Sequence, residues 1–282
     1  MSGSPGLNAN LVTLFSNIAG AGDPVLNALY GSGGAAGGGN PVQALQVAQQ
    51  NQSQDIAMTA AQPATARAIA AFASGVQSAT SPAQLLANPN VMNVLLTASG
   101  MSDQIGNTAL ATQALLSNPA DANALVNQLS DTRWLTVNQT YNFATQGLSV
   151  IQTPSVIATI TNGYAEQTWL QSLNNATPGL ANALAFLGQA SSMTSALQIL
   201  GNPTMFTVVT TALGIPPQIA YQDTNAQEQA ISSQLDVTRF QDPNFVQGMA
   251  DQYLIAMQQQ NAGSTAAPSL ESLAVQAAGL VV

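Results

Sequence analysis

Few side chains in this chain could take part in chemistry. Among its 282 residues there is no histidine and no cysteine, the basic residues are Arg67, Arg133 and Arg239, and twelve residues are acidic. Catalytic triads, thiol nucleophiles and tetrahedral zinc sites need histidine or cysteine. The composition therefore excludes most hydrolase mechanisms, and we expect a protein that is not an enzyme and that carries no cofactor.

A pair of carboxylates could still serve glycoside hydrolysis. The acidic residues are scattered, and the candidate pairs are Asp121 with Asp131 and Asp236 with Asp242. This wide spacing favours helix caps over a catalytic pair.

Two further segments bear a partial likeness to binding motifs. Asp223, Asn225 and Glu228 do not follow the spacing of a calcium loop, so we expect no metal site and interpret Asp223 as a helix cap, with weak divalent-cation binding as the alternative. The glycine-rich segment 31–40 (GSGGAAGGGN) lacks the Lys and following Ser or Thr of a phosphate-binding loop. Its composition is typical of a linker.

The three arginines are so scarce that we expect each to have a fixed carboxylate or carbonyl partner. Arg133 lies beside Asp131, and Arg239 lies near Asp236 and Asp242. These spacings predict ion pairs at helix ends, with contacts across a subunit boundary as the alternative.

Five aromatic residues flank the middle of the chain: Trp134, Tyr141, Phe143, Tyr164 and Trp169. Aromatic side chains at helical spacing usually form core, and we predict a core role for these. The alternative is that an exposed subset anchors an interface.

The overall composition is neutral rather than ionic. Only 5% of residues are charged and 46% are hydrophobic, whereas soluble domains average about 25% charged residues. The hydrophobic content predicts a folded core. The net charge of −9 repels phosphate backbones, so we expect no nucleic-acid partner. A weakly charged, amide-rich surface favours association between copies.

Location is inferred from what the sequence lacks. No run of about 20 apolar residues predicts a transmembrane helix, and the first ten residues do not have the pattern of a cleaved secretory signal. Lysine and cysteine are both absent. We therefore expect an extracellular or cell-surface protein that is exported without a cleaved signal peptide, with a cytoplasmic location as the alternative.

The segment 1–30 before the linker is predicted to be an apolar helical arm. Together with the apolar C-terminus it supplies the predicted interface residues, which are Leu7, Leu11, Leu14, Phe15, Ile18, Leu26, Leu280 and Val281. Most of the arm residues recur at a spacing that places them on one face of a helix. An apolar face on a tether indicates that the arm binds in a groove.

From residue 41 onward the pattern predicts an all-α fold, because Ala/Gln/Leu-rich segments are separated by Asn-Pro, Thr-Pro, Ser-Pro and Asp-Pro steps that are typical of helix starts. Helices are predicted at 41–61, 64–79, 90–99, 103–117, 120–147, 155–173, 178–190, 203–213, 224–236, 243–259 and 269–279.

An internal repeat organises these helices. The stretch Asn88–Met101 recurs as Asn202–Ile215, 114 residues later, and the spacing then lengthens to 120. We interpret this as two tandem copies of one multi-helix module. The predicted domains are the arm (1–30), the linker (31–40), the first module (41–150), the second module (151–262) and a C-terminal helical tail (263–282).

The repeated stretches are LLANPNVMNVLLTASGM at 85–101 and DANALVNQLSDTRW at 121–134, with ILGNPTMFTVVTTALGI and DPNFVQGMADQYL in the second copy. Over residues 62–258 the chain resembles a family of alphaproteobacterial proteins built from one or two copies of a domain of unknown function, some of them encoded among flagellar genes. The matching positions are helix caps and core residues, so no catalytic residue carries over. The resemblance implies a flagellum-associated or exported helical protein.

These observations favour a structural protein that self-assembles into a filament, sheath or lattice, extracellular or flagellum-associated, with subunits linked by exchange of the N-terminal arm. We therefore expect a homo-oligomer or polymer, with flagellar or secretion components as candidate partners. Two alternatives remain: a monomeric exported accessory or binding protein of such an apparatus, and an intracellular cytoskeleton-like scaffold.

Overall fold

The computed structural model describes residues 40–265, and every regular element in that range is an α-helix or a 3-10 helix. The predicted all-α class is confirmed. The arm, the linker up to residue 39 and the chain from residue 266 lie outside the described residues, and so do the predicted helix 269–279 and all eight predicted interface residues. No helix in the described range is both long and apolar enough to cross a bilayer.

Eight helices and one 3-10 turn form the first half of the described chain. They are α1 (Pro41–Ala61), α2 (Pro63–Ser78), α3 (Pro82–Leu86), α4 (Pro89–Ala98), the 3-10 turn Ser102–Gln104, α5 (Thr108–Leu116), α6 (Leu125–Gln128), α7 (Arg133–Tyr141) and α8 (Phe143–Gln146).

The second half of the described chain has fewer and longer helices. They are α9 (Pro154–Ala176), α10 (Leu180–Gln189), α11 (Ala196–Leu200), α12 (Pro203–Ala212), α13 (Thr224–Ser232) and α14 (Pro243–Thr265), with 3-10 helices at Ala190–Ser192, Pro217–Tyr221 and Val237–Gln241.

Proline explains where many of these helices begin. The first residue is proline in α1, α2, α3, α4, α9, α12 and α14. At that position the missing N–H costs nothing, because the first N–H groups of a helix have no partner within the helix, and the fixed φ of proline is already helical.

The single helix predicted over 120–147 is wrong. Three short helices occupy this range, because Asn142 between α7 and α8 has φ 42° and ψ 55°, a left-handed conformation that no helix interior can contain. The Asp131 carboxylate also accepts the Arg133 N–H 3.1 Å away, at the start of α7. The predicted helix 103–117 is likewise divided, into the 3-10 turn and α5.

The described chain separates into two compact units. One comprises Asn51–Gln171, and the other joins the residues through Gln50 to those from Ser172 onward. The sequence repeat predicts a domain boundary near residue 150, whereas the compact unit Asn51–Gln171 ends at residue 171. The predicted modules 41–150 and 151–262 stay a prediction based on the repeat.

The unit Asn51–Gln171 has one continuous apolar core, formed where α2 crosses α4 and where α5 packs on α3, α6 and α7. The helices α2 and α4 approach very closely at Gly75, where an added Cβ would lie 2.6 Å from Val91 Cγ2. Large side chains buried in this core include Phe72, Leu85, Met92, Leu95, Leu96 and Trp134.

The second unit is built around α10, α12 and α14. Gly179 directly precedes α10 and has φ 92°, and a Cβ there would lie 3.0 Å from the Tyr253 hydroxyl, so only glycine fits without strain. Its buried residues include Leu180, Phe186, Ile199, Val208, Ile231, Phe240, Tyr253 and Leu254.

Capping geometry recurs at the 114-residue spacing. Ser81 has φ −150° and ψ 153°, Ser195 has φ −149° and ψ 156°, and each hydroxyl accepts the N–H of a glutamine three residues later. Asn88 and Asn202 then cap α4 and α12 with their side-chain oxygens. Both helices are followed by a left-handed glycine, Gly100 with φ 69° or Gly214 with φ 66°. Equivalent positions thus use the same hydrogen bonds.

Candidate docking groove

The Arg133 side chain forms the centre of an ion-pair cluster. Its Nη2 lies 2.9 Å from Asp103 Oδ2 and 2.8 Å from Asp131 Oδ2, and its Nη1 donates to the Gly100 carbonyl at 2.8 Å. The predicted pairing with Asp131 is confirmed. Asp103 was not predicted as a partner because it lies 30 residues away and the intervening chain folds back.

Hydrogen bonding to Arg133 is the main cause of lowered pKa values for the Asp103 and Asp131 carboxyl groups, and the same bonds raise the pKa of Arg133. At neutral pH both carboxylates are therefore ionised and the guanidinium stays protonated. None of the three groups can exchange a proton with a substrate near that pH. The cluster fastens the end of α4 and the 3-10 turn to α7.

The other two arginines have different partners. Arg67 Nε donates to the Pro63 carbonyl at 2.8 Å, which confirms a carbonyl partner. The Arg239 guanidinium instead lies 3.9 Å above the centre of the Phe245 ring, a cation–π contact. The predicted ion pair of Arg239 is wrong, since both ion pairs found among the described residues belong to Arg133.

Four aspartates bond backbone N–H groups shortly after them in the chain. Asp223, Asp236 and Asp242 do so at helix starts, as predicted, whereas no helix begins at Asp121. Each accepts a backbone N–H two or three residues later, at Asp121 (from Asn123, 2.9 Å), Asp223 (from Ala226, 3.0 Å), Asp236 (from Thr238, 3.0 Å) and Asp242 (from Asn244, 2.9 Å). Residues 40–261 contain no group of three acidic side chains that could hold a metal ion. Asp223 starts α13 rather than a cation-binding loop.

Side-chain amides take over a role that cations often have. The last carbonyls of a helix lack partners within the helix, and Lys or Arg frequently bonds them. Neither α2 nor α5 has a basic residue in its last turn. At the end of α2, Gln152 Nε2 donates to the Val76 and Ala79 carbonyls, and at the end of α5, Asn138 Nδ2 donates to those of Ala114, Leu115 and Ser117.

The core interpretation of the five aromatic residues is confirmed. Trp134, Tyr141, Phe143 and Trp169 are buried, and Tyr164 is partly buried against the core. Burial raises the pKa of Tyr141 to about 12. Among the described residues, the aromatic side chain that stands out in solvent is Tyr221, at 90% exposure.

An open groove of about 560 Å³ lies where the corner between α3 and α4 faces α5. We call it the α3–α5 groove, and it is lined by Leu86, Ala87, Pro89, Met92, Thr108, Ala109, Thr112 and Gln113. None of these side chains carries a charge. The floor is apolar, because Leu86 and Met92 belong to the core, while Ala87, Pro89, Thr108 and Ala109 form an exposed rim.

Local interactions fix both walls of this groove. The Asn88 Oδ1 atom accepts the Asn90 N–H at 3.0 Å and so sets the turn between α3 and α4. Asn138 holds the end of α5 through three carbonyls. The groove offers no acid, base or nucleophile, and its volume falls in the range of ligand pockets, roughly 300–1,000 Å³.

The α3–α5 groove was not predicted from the sequence. No helix was predicted at 82–86, and five residues are too few for periodicity to reveal α3. The signals that could have revealed it are the Ser81 and Asn88 caps with Pro82 and Pro89, since they mark two helix starts seven residues apart.

Comparisons with known proteins give one family and one similar structure. The family described as "Protein of unknown function (DUF1217)" matches residues 98–246, just over half of the chain. A crystal structure of a protein from Agrobacterium tumefaciens is similar with a TM-score of 0.63 and 22% sequence identity, and the alignment covers 86% of this chain and 97% of that one. At this identity the likeness concerns the fold alone. No protein with a curated description matches.

Proposed function

The chain belongs to the family of proteins of unknown function described as DUF1217. We propose that it is a structural protein whose copies self-assemble by exchanging their N-terminal arms. The product is a filament, sheath or lattice. The family description names no activity, so the proposal relies on the chemistry of the chain itself.

One observation carries the proposal: the scarce charged groups are largely used within the subunit. Arg133 is bonded by two carboxylates, Arg239 lies on an aromatic ring, and four aspartates cap backbone N–H groups. Hydrogen bonding leaves these carboxylates negatively charged, but charged side chains make up only 5% of the residues. Most of a contact between two copies would therefore join uncharged groups, at low electrostatic cost.

The proposal includes a tandem origin for the fold. It is supported by the recurring serine caps, asparagine caps and left-handed glycines 114 residues apart, and by the buried pair Phe72 and Phe186 at the same spacing. Duplicated modules give one chain two similar faces, which suits an assembly in which each copy meets a preceding and a following neighbour.

Arm exchange supplies the driving force. Burying about six large apolar side chains at roughly 1.5–3 kcal/mol each gives a gross gain of about 9–18 kcal/mol, from which ordering and association costs are subtracted. An arm that leaves its own subunit and binds the next forms a head-to-tail contact, and a contact of this kind propagates when it does not close into a ring.

We include in the proposal an extracellular or flagellum-associated location, on the basis of the absent lysine and cysteine. A scaffold inside the cell would assemble through the same contacts. Fractionation of cells that express the chain distinguishes an intracellular from an extracellular location. Flagellar or secretion components are the partners to look for in that experiment.

Two charge variants of the full-length chain test self-assembly. Leu11→Asp with Phe15→Asp places two charges on the apolar face of the arm, whereas Asn10→Asp with Asn17→Asp adds the same charge at polar positions. We expect sedimentation velocity and negative-stain electron microscopy to show polymers for the unmodified chain and the polar variant, and single subunits for the apolar-face variant.

Monodisperse single subunits from the unmodified chain, at every concentration tested, would contradict the proposal. That result would favour the alternative of a monomeric exported accessory protein. Polymers that persist in the apolar-face variant would leave self-assembly intact and contradict the exchange of arms.

A further inference from the structure

We propose that the Arg239 guanidinium of one copy binds the Glu228 carboxylate of a second copy when the chains assemble. The inference rests on the self-assembly of the proposed function and adds a contact between copies that does not involve the arms. Both residues lie in the compact unit that continues from Ser172, so this unit alone supplies each partner of the pair.

Among the described residues, Arg239 is a cation that is held in position without a bonded anion. Its guanidinium lies 3.9 Å from the centre of the Phe245 ring. That ring lies 6.2 Å from the ring of the buried Phe240, which contacts the buried Phe186 at 5.6 Å between ring centres. The aromatic stack therefore connects an exposed arginine to the core of its unit.

The hydrogen-bond donors of this guanidinium are available. The contact with Phe245 occupies one side of it, and in the described part of the chain its N–H groups bond no oxygen atom, since both ion pairs belong to Arg133. A guanidinium fork binds a carboxylate through two parallel hydrogen bonds. Because the chain has twelve acidic residues and three basic ones, a second copy is a ready source of this group.

Few carboxylates can be the partner. Every aspartate of the described range already interacts with another group, whether an arginine, a backbone N–H, a glutamine or a further part of the chain. The two glutamates in that range, Glu166 and Glu228, are partly exposed, and their carboxylates have no bonded partner among the described residues. The choice is therefore between these two.

The surroundings of α13 favour Glu228. The turn that carries Tyr221 is fastened to this helix, because Gln227 Nε2 donates to the Ala220 carbonyl at 3.4 Å and to the Gln222 carbonyl at 2.8 Å. Tyr221 is 90% exposed, and α11, which also packs on α13, carries an exposed leucine. Tyrosine and arginine are the side chains that most often anchor contacts between proteins.

The helix that carries Glu166 lacks such anchors. The exposed large hydrophobic residues of the described range lie on α1, α11, α14 and the 3-10 helix Pro217–Tyr221, and none lies on α9. An ion pair near solvent contributes little affinity, but it determines which surfaces meet. The pair therefore orients two copies that the arms hold together.

Charge reversal in the full-length chain tests the pair. Arg239→Glu or Glu228→Arg places like charges opposite each other, and we expect the concentration at which half of the chains sediment as polymers to rise at least about tenfold. The matched controls are Arg67→Glu and Glu166→Arg, which change the net charge equally on the unit Asn51–Gln171. They should shift that concentration by less than about twofold.

Rescue separates an ion pair from a structural effect. Arg239→Glu combined with Glu228→Arg in one chain restores opposite charges, and so does an equal mixture of the two single variants. We expect both preparations to polymerise at the concentration of the unmodified chain. Circular dichroism checks that each variant is folded. Glu228→Arg leaves the aromatic stack intact, so it tests the pair even if Arg239→Glu does not fold.

Each other outcome overturns the inference. Variants that polymerise like their controls, or a loss that neither the combined variant nor the mixture rescues, would leave self-assembly intact and contradict the pair. A loss in Glu166→Arg that Arg239→Glu rescues would assign the carboxylate to Glu166 instead of Glu228. Single subunits from the unmodified chain at every concentration would contradict the proposed function and the pair together.

Discussion

Asn138 on α7 bonds the C-terminal end of α5, with its Nδ2 atom 2.9 Å from the Ser117 carbonyl oxygen. The side chain is completely buried and also reaches the Ala114 and Leu115 carbonyls. One neutral amide thus shares its two N–H groups among three carbonyls and fixes the helix that forms one wall of the α3–α5 groove.

Replacing Asn138 should therefore be costly. Asn138→Ala removes the donor that the Ala114, Leu115 and Ser117 carbonyls share, and we expect a loss of about 2–3 kcal/mol in the free energy of unfolding. Urea denaturation followed by circular dichroism measures it. The exposed neighbour Gln139→Ala is the control and should change stability by less than about 0.5 kcal/mol. Similar midpoints for the two variants would contradict the capping role.

The crossing of α2 and α4 predicts opposite effects for two glycine substitutions. Gly75→Ala forces a Cβ to within 2.6 Å of Val91 Cγ2 and 2.9 Å of Asn88 Nδ2, and we expect a loss of about 1–3 kcal/mol from overpacking. Gly248→Ala on α14 meets no atom within 4 Å and should gain about 0.5–1 kcal/mol from helix propensity. Thermal unfolding of both variants measures these changes in stability. A Gly75→Ala variant that is more stable than the unmodified chain would show that α2 and α4 can separate without cost.

The two left-handed glycines should respond alike. Gly100 and Gly214 have φ 69° and 66°, and a Cβ added at either position would have no neighbouring atom within 4 Å. Alanine at either site meets no clash, so its cost is the backbone strain alone, about 1–2 kcal/mol. Asparagine, which tolerates this conformation better, should cost less at both sites. Chemical denaturation of the four variants tests this, and unequal losses at the two positions would argue against equivalent turns.

The Arg133 cluster predicts an acid-dependent part of stability. The folded-state pKa values of Asp103 and Asp131 lie below the ordinary value of 3.8, so the pairing stabilises the fold above about pH 4 and is lost as the pH falls through the lowered values. The side chains of Arg133, Asp103 and Asp131 are 43%, 54% and 29% exposed. Solvent screening therefore limits the ionic contribution to about 1 kcal/mol or less.

Comparing unfolding free energies of the unmodified chain and Arg133→Gln across this pH range measures that contribution. The difference should shrink in acid and keep a remainder from the lost bond to the Gly100 carbonyl, which does not titrate. A difference that stays constant with pH would show that the carboxylates contribute nothing through Arg133.

Much of the helical pattern could be predicted, because its determinants are local. Proline at the first helical position and asparagine at the cap place α4 and α12 within one residue of their predicted starts, at Pro89 and Pro203. Proline also marks the predicted starts of α1, after Asn40, and of α14, after Asp242. The aromatic core was predicted from spacing, since Trp134 and Trp169 recur among apolar positions on helices.

The features that could not be predicted depend on contacts between residues that are far apart in the sequence. The pairing of Arg133 with Asp103 and the capping of α5 by Asn138 each join positions more than 20 residues apart, and no periodic pattern encodes them. The α3–α5 groove arises from the relative placement of three helices, one of them too short to detect. The predicted interface residues Leu7 to Leu26, Leu280 and Val281 lie outside the described residues and stay predictions.

The way each arginine is held has a consequence for proteolysis. Trypsin-like enzymes insert an arginine or lysine side chain into a specificity pocket, and this chain offers them three residues in all. Arg67 is bonded to Pro63, Arg133 is held by two carboxylates, and Arg239 lies on Phe245. A digesting enzyme must first detach a side chain from its partner, so the folded subunit is poorly suited as a substrate for this class of protease.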